Sequence, residues 1–306
     1  MTDYWGVLFS LLSAFCFSTE GFATSAALRQ GIAIPFILAG RYTIAALILW
    51  LVAAFRFFRR EEPSPRAARL PLRTWLVVAI IGILGYGGTT SALTTAFTLI
   101  PTSLAIIVLY AYPTLVALGE LILGWDQPRM RSWMAIALTL AGLAIITRVS
   151  WDISSPLGLL LAFAAAVLNT VQVLFSRHLL QFRDSFTLTL VYVSAAAAFL
   201  CLVLVTGGFQ GVVTVGGIPG TAWLSLLSLA VFPTLLAILF LNLGIERLGA
   251  SRASIFSTTE PVFAALLGII LLQERWTAAQ ASGALLIIAG LLLISWPENE
   301  KNQAGV

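Results

Sequence analysis

Three ionisable side chains stand inside otherwise apolar stretches of this 306-residue chain: Glu20, Arg41 and Glu260. Even the lower estimates put an uncompensated charge at the centre of a bilayer at about 3 kcal/mol, so such residues face a protein interior or an aqueous path. The guanidinium of Arg41 can grip a carboxylate with two parallel hydrogen bonds. That carboxylate would belong to Glu20, to Glu260 or to a bound small molecule, which leaves Arg41 as either a permanent ion-pair partner or a substrate anchor. Glu260 stands directly before Pro261, and a proline leaves the carbonyl four residues earlier, here Ser257, without its helical donor. Glu260 therefore reads as a structural lock on that break or as a titrating coupling group. Glu20 reads as a seam contact or, more in keeping with its cost, as a coupling or substrate group.

Neutral polar residues extend this set. On the helical face of Glu20 lie Ser13, Phe17 and Thr24. The stretch 152 residues later carries Ala165, Asn169, Gln172 and Ser176 on the matching face, with Gln172 over Glu20. Asn169 and Gln172 serve an interhelical hydrogen-bonding seam, worth roughly 0.6–2 kcal/mol per contact, or line a binding cavity. Tyr86, Tyr110 and Tyr112, near Gly87, Gly88, Thr89 and Thr90, sit deeper than the tryptophans at stretch ends (Trp5, Trp50, Trp75, Trp125, Trp276, Trp296), which mark membrane interfaces. Tyr86 and Tyr110 join the candidate substrate-binding residues, as does Asn242. Glu120 lies near the end of its stretch, within reach of interfacial water, and is given no function. Asp126 and Glu274 read as caps of helical hairpins.

The elements that position these residues follow from composition. Hydrophobic residues make up 59% of the chain and charged residues 10%, with a mean hydropathy of +0.99. A soluble domain carries about 25% charged residues, and one of this size would lack polar cover. A spanning helix needs ~20 apolar residues, and ten such stretches fit: Trp5–Leu28, Ile34–Phe55, Leu72–Leu93, Thr102–Leu123, Arg131–Thr147, Pro156–Arg177, Phe186–Val205, Thr221–Leu243, Ala250–Leu272 and Ala278–Ser295. The expected fold is an all-α polytopic membrane protein of ten transmembrane helices. Two longer linkers interrupt it: Arg56 to Arg73, basic and Pro-rich, and Thr206 to Gly220, Gly-rich and uncharged. Thr277 and Gln280 spell a capping box opening the last helix.

With a cytoplasmic N-terminus, thirteen basic residues (Arg56, Arg59, Arg60, Arg66, Arg69, Arg73, Arg129, Arg131, Arg177, Arg183, Arg247, Arg252 and Lys301) fall on the inside. Only Arg29, Arg148 and Arg275 fall outside. This bias predicts both termini in the cytoplasm. It also accounts for the net charge of +4 without nucleic acid. Cys16 and Cys201 fall mid-stretch as packing residues.

The chain also repeats itself. At a spacing of 148, Ser103, Pro113, Ala117, Leu123, Ala141, Gly142 and Ile146 fall on Ser251, Pro261, Ala265, Leu271, Ala289, Gly290 and Ile294. Gly85 falls on Pro233 and Thr94 on Asn242. Residues 1–150 and 151–306 thus read as two five-helix units. Five is odd, so they enter the bilayer in opposite directions, and inverted repeats with a site near the midplane characterise many secondary transporters. Pro113, Pro233 and Pro261 interrupt helices, and with Gly85 they are the expected hinges.

The run Glu260-Pro261-Val262-Phe263-Ala264-Ala265-Leu266-Leu267-Gly268, followed by Leu271-Leu272-Gln273-Glu274-Arg275, Gly283 and Gly290, resembles the signature of the EamA family of the drug/metabolite transporter superfamily. A weaker copy runs from Pro113 to Leu118, with Asp126 in place of the glutamate and Gly142 beyond; Arg41-Tyr42 resembles the family's arginine–aromatic pair. The Trp-Gly common in the family's first helix is replaced by Cys16-Phe17-Ser18-Thr19-Glu20. The resemblance implies a ten-helix carrier in a bacterial inner membrane, exporting amino acids, related metabolites or drugs. Its partners would be a small-molecule substrate and the lipid bilayer, with protons as a candidate coupling ion and no cofactor or metal. Monomer and homodimer are both compatible. No G-x-S-x-G, aspartate pair or metal cluster supports an intramembrane enzyme. No Gly-rich phosphate loop supports an ATP-driven pump. His178, the one histidine, reads as an interfacial residue. Two readings remain: an exporter of an amino acid or similar metabolite, and a proton-coupled exporter of cationic or lipophilic drugs with Glu20 as the exchanging group.

Overall fold

A computed structural model describes residues 3–59, 71–125, 130–146, 155–207, 220–272 and 277–295. The caps expected at Asp126 and Glu274, the hinge Gln273-Glu274-Arg275, most of both long linkers, and Arg60, Arg66, Arg69, Arg129, Arg148 and Lys301 lie outside these residues, as do Trp276, Trp296 and the Gln280 side chain of the capping box.

Among the described residues the regular structure is helical. Its elements are α1 (Tyr4–Ser18), α2 (Glu20–Arg29), α3 (Ile34–Phe58), α4 (Leu72–Gly82), α5 (Thr89–Phe97), α6 (Thr102–Leu109), α7 (Tyr112–Ile122), α8 (Met130–Ile146), α9 (Pro156–Leu179), α10 (Ser185–Thr206), α11 (Gly220–Leu229), α12 (Ala237–Leu248), α13 (Ala250–Ser257), α14 (Glu260–Leu272) and α15 (Ala278–Ser295). Wider π-helical turns, Ile83–Gly88 and Ala230–Leu236, join α4 to α5 and α11 to α12. These pieces stack end to end into rods, eight of which are long and apolar enough to cross a membrane; α8 and α15 hold shorter apolar helices, Met130–Ile145 and Ala281–Leu293. Side-chain oxygens secure several starts: Asp3 accepts from the amides of Trp5 and Gly6, and Asp184 from that of Thr187. Gly249, at φ +83, lets α12 turn directly into α13, a backbone state that favours glycine.

Lipid offers little to drive one apolar helix against another, so close packing of small residues holds such bundles together. The α8–α15 seam illustrates this. A Cβ built on Gly142 would stand 2.5 Å from the Gly283 carbonyl oxygen, and one on Gly290 would stand 2.9 Å from that of Ala135. The two backbones touch. Overpacking of this kind costs about 1–3 kcal/mol or more. Gly142→Leu is therefore expected to lower the unfolding temperature in detergent by several degrees. Leu285→Ala, on the exposed face of α15, should leave it nearly unchanged.

The breaks within the rods repeat at a spacing of 148. Tyr110–Ala111 separates α6 from α7 as Thr258–Thr259 separates α13 from α14, and the two π-helical turns also correspond. Pro113 and Pro261 do not interrupt helices, as the sequence reading had it. They occupy the first turn of the helix that restarts after each break, where a missing N–H costs nothing. Pro233 does sit inside its rod. It cannot donate to the Leu229 carbonyl, and the Thr234 hydroxyl does so instead at 2.8 Å. In the matching turn Gly85 presses on the side chain of Gln172 and Gly87 on Phe199, so close approach of neighbouring helices accompanies the widened turn there.

One break has no counterpart. The first rod is interrupted at Thr19, whereas α9, its partner in the repeat, runs unbroken through Val171 and Gln172.

Candidate functional site

Two of the breaks set up the carboxylates. Before Glu20, the hydroxyls of Ser18 and Thr19 bond back to the carbonyls of Phe15 and Cys16, at 2.6 and 2.7 Å. Before Glu260, those of Thr258 and Thr259 bond to Ile255 and Phe256, at 2.7 and 2.6 Å. Hydroxyls that compete for helix carbonyls bend or end helices. The same local device, two hydroxyl residues followed by glutamate, thus stops one helix and makes the glutamate the first residue of the next. Unpaired amides in a first turn favour negative charge, which offsets part of the cost of placing a carboxylate mid-rod.

Glu20, Arg41, Tyr110 and Glu260 come together from four rods. Arg41 on α3 donates through Nη1 to Glu20 Oε1 at 2.5 Å; its side chain is 4% exposed, against 37% for Glu20. Its Nε is buried without a partner. Glu260, half-buried, lies beside Tyr110 and near Glu20. Among the described residues Glu260 has no cationic partner. The cluster therefore sets two carboxylates against one guanidinium. Tyr112, next to this group, donates to the Ser254 carbonyl and ties α7 to α13.

The other expected site residues have partners of their own. Gln172 is fully buried on α9: its Nε2 donates to Ser176 Oγ at 2.8 Å, which donates in turn to the Tyr192 hydroxyl at 3.2 Å. Tyr86 leans on the Tyr192 ring, with centroids 5.8 Å apart. Asn242 is fully buried and donates to Thr189 on α10 at 3.0 Å. Neither Gln172 nor Asn242 lines an exposed surface here, because neighbouring helices close over both. Asn169 is half-buried one turn from Gln172.

Glu120 does not reach interfacial water. It is 2% exposed, forms an ion pair with Arg177 and accepts from the amide of Ser251, the second residue of α13. Arg177 also stacks on Trp125. This links α7, α9 and α13 at one end of the bundle. The same end holds the Arg247–Asp3 pair at 3.3 Å and the Ser185–Glu246 bond at 2.8 Å. At the opposite end the corresponding helices stay apart. There α2 rests on α11, α6 on α9 and α14 on α1, and α2, α6 and α14 make no comparable packing with one another. The bundle is sealed at the Glu120 end, while Glu20 and Glu260 both retain exposed surface.

The EamA-like transporter family model matches the chain twice, over residues 4–148 and 156–296. The chain belongs to this family. EamA is part of the drug/metabolite transporter superfamily. A curated relative, "Uncharacterized transporter sll1319" of the cyanobacterium Synechocystis sp., is 28% identical over 215 residues. That match takes in 66% of this chain and 63% of the relative's length. A solved crystal structure has the same fold, with a TM-score of 0.78 at 24% identity over 94% of this chain and 96% of that one.

Sequence reasoning had no place for Tyr192 or for the bond between Glu120 and Arg177. A signal for the first existed. At a spacing of 151 the buried face of α3 (Ile37, Arg41, Tyr42, Ala45, Ala46, Leu49) falls on that of α10 (Leu188, Tyr192, Val193, Ala196, Ala197, Leu200). This sets Tyr192 on Arg41.

Proposed function

We infer that this transporter exports a small amine-bearing compound, an amino acid or amino-acid-like metabolite, by alternating access around Glu20, Arg41, Tyr110 and Glu260. The observation that carries this reading is the charge count in that cluster. One carboxylate is satisfied by Arg41, while the other, Glu260, has Tyr110 beside it and no cation among the described residues. Glu260 is then the partner for an ammonium group, and the remaining donors of Arg41 meet a carboxylate when the Glu20 contact loosens. In this reading α8 and α15 are the fifth and tenth crossings, residues 1–150 and 151–306 are inverted halves, and the sealed end with both termini faces the cytoplasm of a bacterial cell. The hinge positions are Gly85, Pro113, Pro233 and Pro261.

The second reading, a proton-coupled exporter of cationic or lipophilic drugs, gains from the tightness of the Arg41–Glu20 contact, since an occupied guanidinium is a poorer carboxylate anchor. One experiment separates the two. Proteoliposomes are loaded with labelled amino acids or with the lipophilic cation tetraphenylphosphonium, and efflux is followed with wild type and with Glu260→Gln. Amino-acid efflux that falls at least tenfold in Glu260→Gln supports the first reading, and efflux of the cation alone supports the second. Protein-independent loss across the whole panel removes both.

A further inference from the structure

The repeat partner of the Glu20–Arg41 pair is visible in the second half, in uncharged form. Gln172 corresponds to Glu20 and Ser176 to Thr24 at a spacing of 152, and Tyr192 corresponds to Arg41 at 151. These three residues are joined to one another as Glu20 and Arg41 are, through the Gln172–Ser176–Tyr192 hydrogen bonds. The two sets differ in state. Glu20 follows a helix break and is 37% exposed, whereas Gln172 lies in unbroken helix and is 0% exposed. Two polar atoms of the buried set have no partner, Gln172 Oε1 and the Tyr86 hydroxyl, in a cluster flanked by the Tyr86 and Tyr192 rings. A buried acceptor without a donor is costly and is a reason to expect a partner at another stage.

We propose that Gln172, Ser176 and Tyr192, together with Tyr86, form a second and uncharged half of the substrate site, closed in this state and presented to the opposite membrane face when the Glu120–Arg177 end opens. The proposal rests on the alternating-access reading above. In an inverted repeat the opposite-facing state arises when the halves exchange roles. The sixth rod then bends at Val171–Gln172, as the first does at Thr19–Glu20, and the first rod straightens. The group this half accepts is a neutral hydrogen-bond donor of the substrate, an amide or hydroxyl, directed at Gln172 Oε1 beside the two tyrosine rings. Charge is handled on one side of the cycle and shape with hydrogen bonding on the other. Selectivity among substrates of equal charge would then depend on Tyr192 and Gln172.

The test uses the corresponding pair Thr24 and Ser176. In a Cys16→Ala/Cys201→Ala background, Thr24→Cys and Ser176→Cys are exposed separately to a membrane-impermeant methanethiosulfonate reagent on right-side-out and inside-out vesicles. The expected result is labelling of Thr24→Cys from one face and of Ser176→Cys from the other. Adding Glu120→Gln should speed Ser176→Cys labelling at least tenfold and slow that of Thr24→Cys. Labelling of Ser176→Cys from the Thr24 face, or from neither face in either background, overturns the proposal. In the second arm, Tyr192→Phe and Gln172→Leu are assayed with whichever probe the wild type transports. Changed selectivity among amino acids of equal charge is expected. Unchanged selectivity and rate in both variants leaves an export function standing and refutes the half-site. If no probe is transported, the export reading fails while the labelling arm still decides whether the sixth rod opens.

Discussion

Glu20→Leu should destabilise the protein far more than Arg41→Met, although the two residues form one ion pair. The reason is the unequal burial of the partners. Removing Glu20 strands a guanidinium that is 4% exposed, and an uncompensated buried charge costs about 3–5 kcal/mol. Removing Arg41 strands a carboxylate that keeps 37% of its surface and heads α2, so that water and first-turn amides take up much of the charge. The double variant Glu20→Leu/Arg41→Met should recover most of the stability lost in Glu20→Leu, because no charge is then left unpaired. Thermal unfolding of the three variants in one detergent measures the order. Equal losses in the two single variants would mean that Glu20 is as deeply enclosed as Arg41. Substrate efflux should be lost in all three, which separates the stabilising role of the pair from its part in transport.

The ionisable residues were legible in the sequence because charge inside an apolar run stands out, and the structure does bring Glu20, Arg41, Glu260 and Tyr110 together. The family was legible from the Glu260–Gly268 run. What the sequence did not reveal was burial. Gln172 and Asn242 share the polar character of the exposed residues, and only the closure of neighbouring helices over them tells the two sets apart. Glu120 was misjudged for the same reason: its position near a helix end suggests water, but Arg177 and the Ser251 amide come from elements more than fifty residues away. The prolines misled differently. Pro113 and Pro261 mark the breaks without making them. At Thr258–Thr259 two hydroxyls on carbonyls mark the break before Pro261, and Ser18–Thr19 has the same arrangement with no proline following.

The second large effect is expected at the sealed end. Glu120→Ala leaves Arg177 without its counter-ion and the Ser251 amide without its acceptor. Arg177 keeps 23% of its surface and its stacking on Trp125, so the loss should be near the lower end of the buried-pair range, about 3 kcal/mol. A change of that size moves a two-state equilibrium by roughly a hundredfold. At the repeat-related positions stand Gly268 and Ser25, so a mirror-image seal at the other end would have no ion pair to lose. Glu120→Ala should therefore open the Glu120 end. The measurement is reactivity of a cysteine introduced at Ser251, which faces that end, towards an impermeant thiol reagent. Unaltered reactivity would mean that apolar packing of α13 on α7 keeps the end shut by itself.

The glycine contacts between α8 and α15 bear on how such an opening proceeds. Side chains can change rotamer and let two helices slide, but backbone lying on backbone has no such freedom: Gly142 against Gly283, and Gly290 against Ala135, must move together or come apart completely. One of these helices belongs to each half of the chain. If the protein works by the alternating access proposed above, movement of the halves past each other would turn about this line like a door about its pin, and distance from it would set how far each residue travels. Residues beside the pin would stay almost still, and the widest sweep would fall to the helices farthest from it.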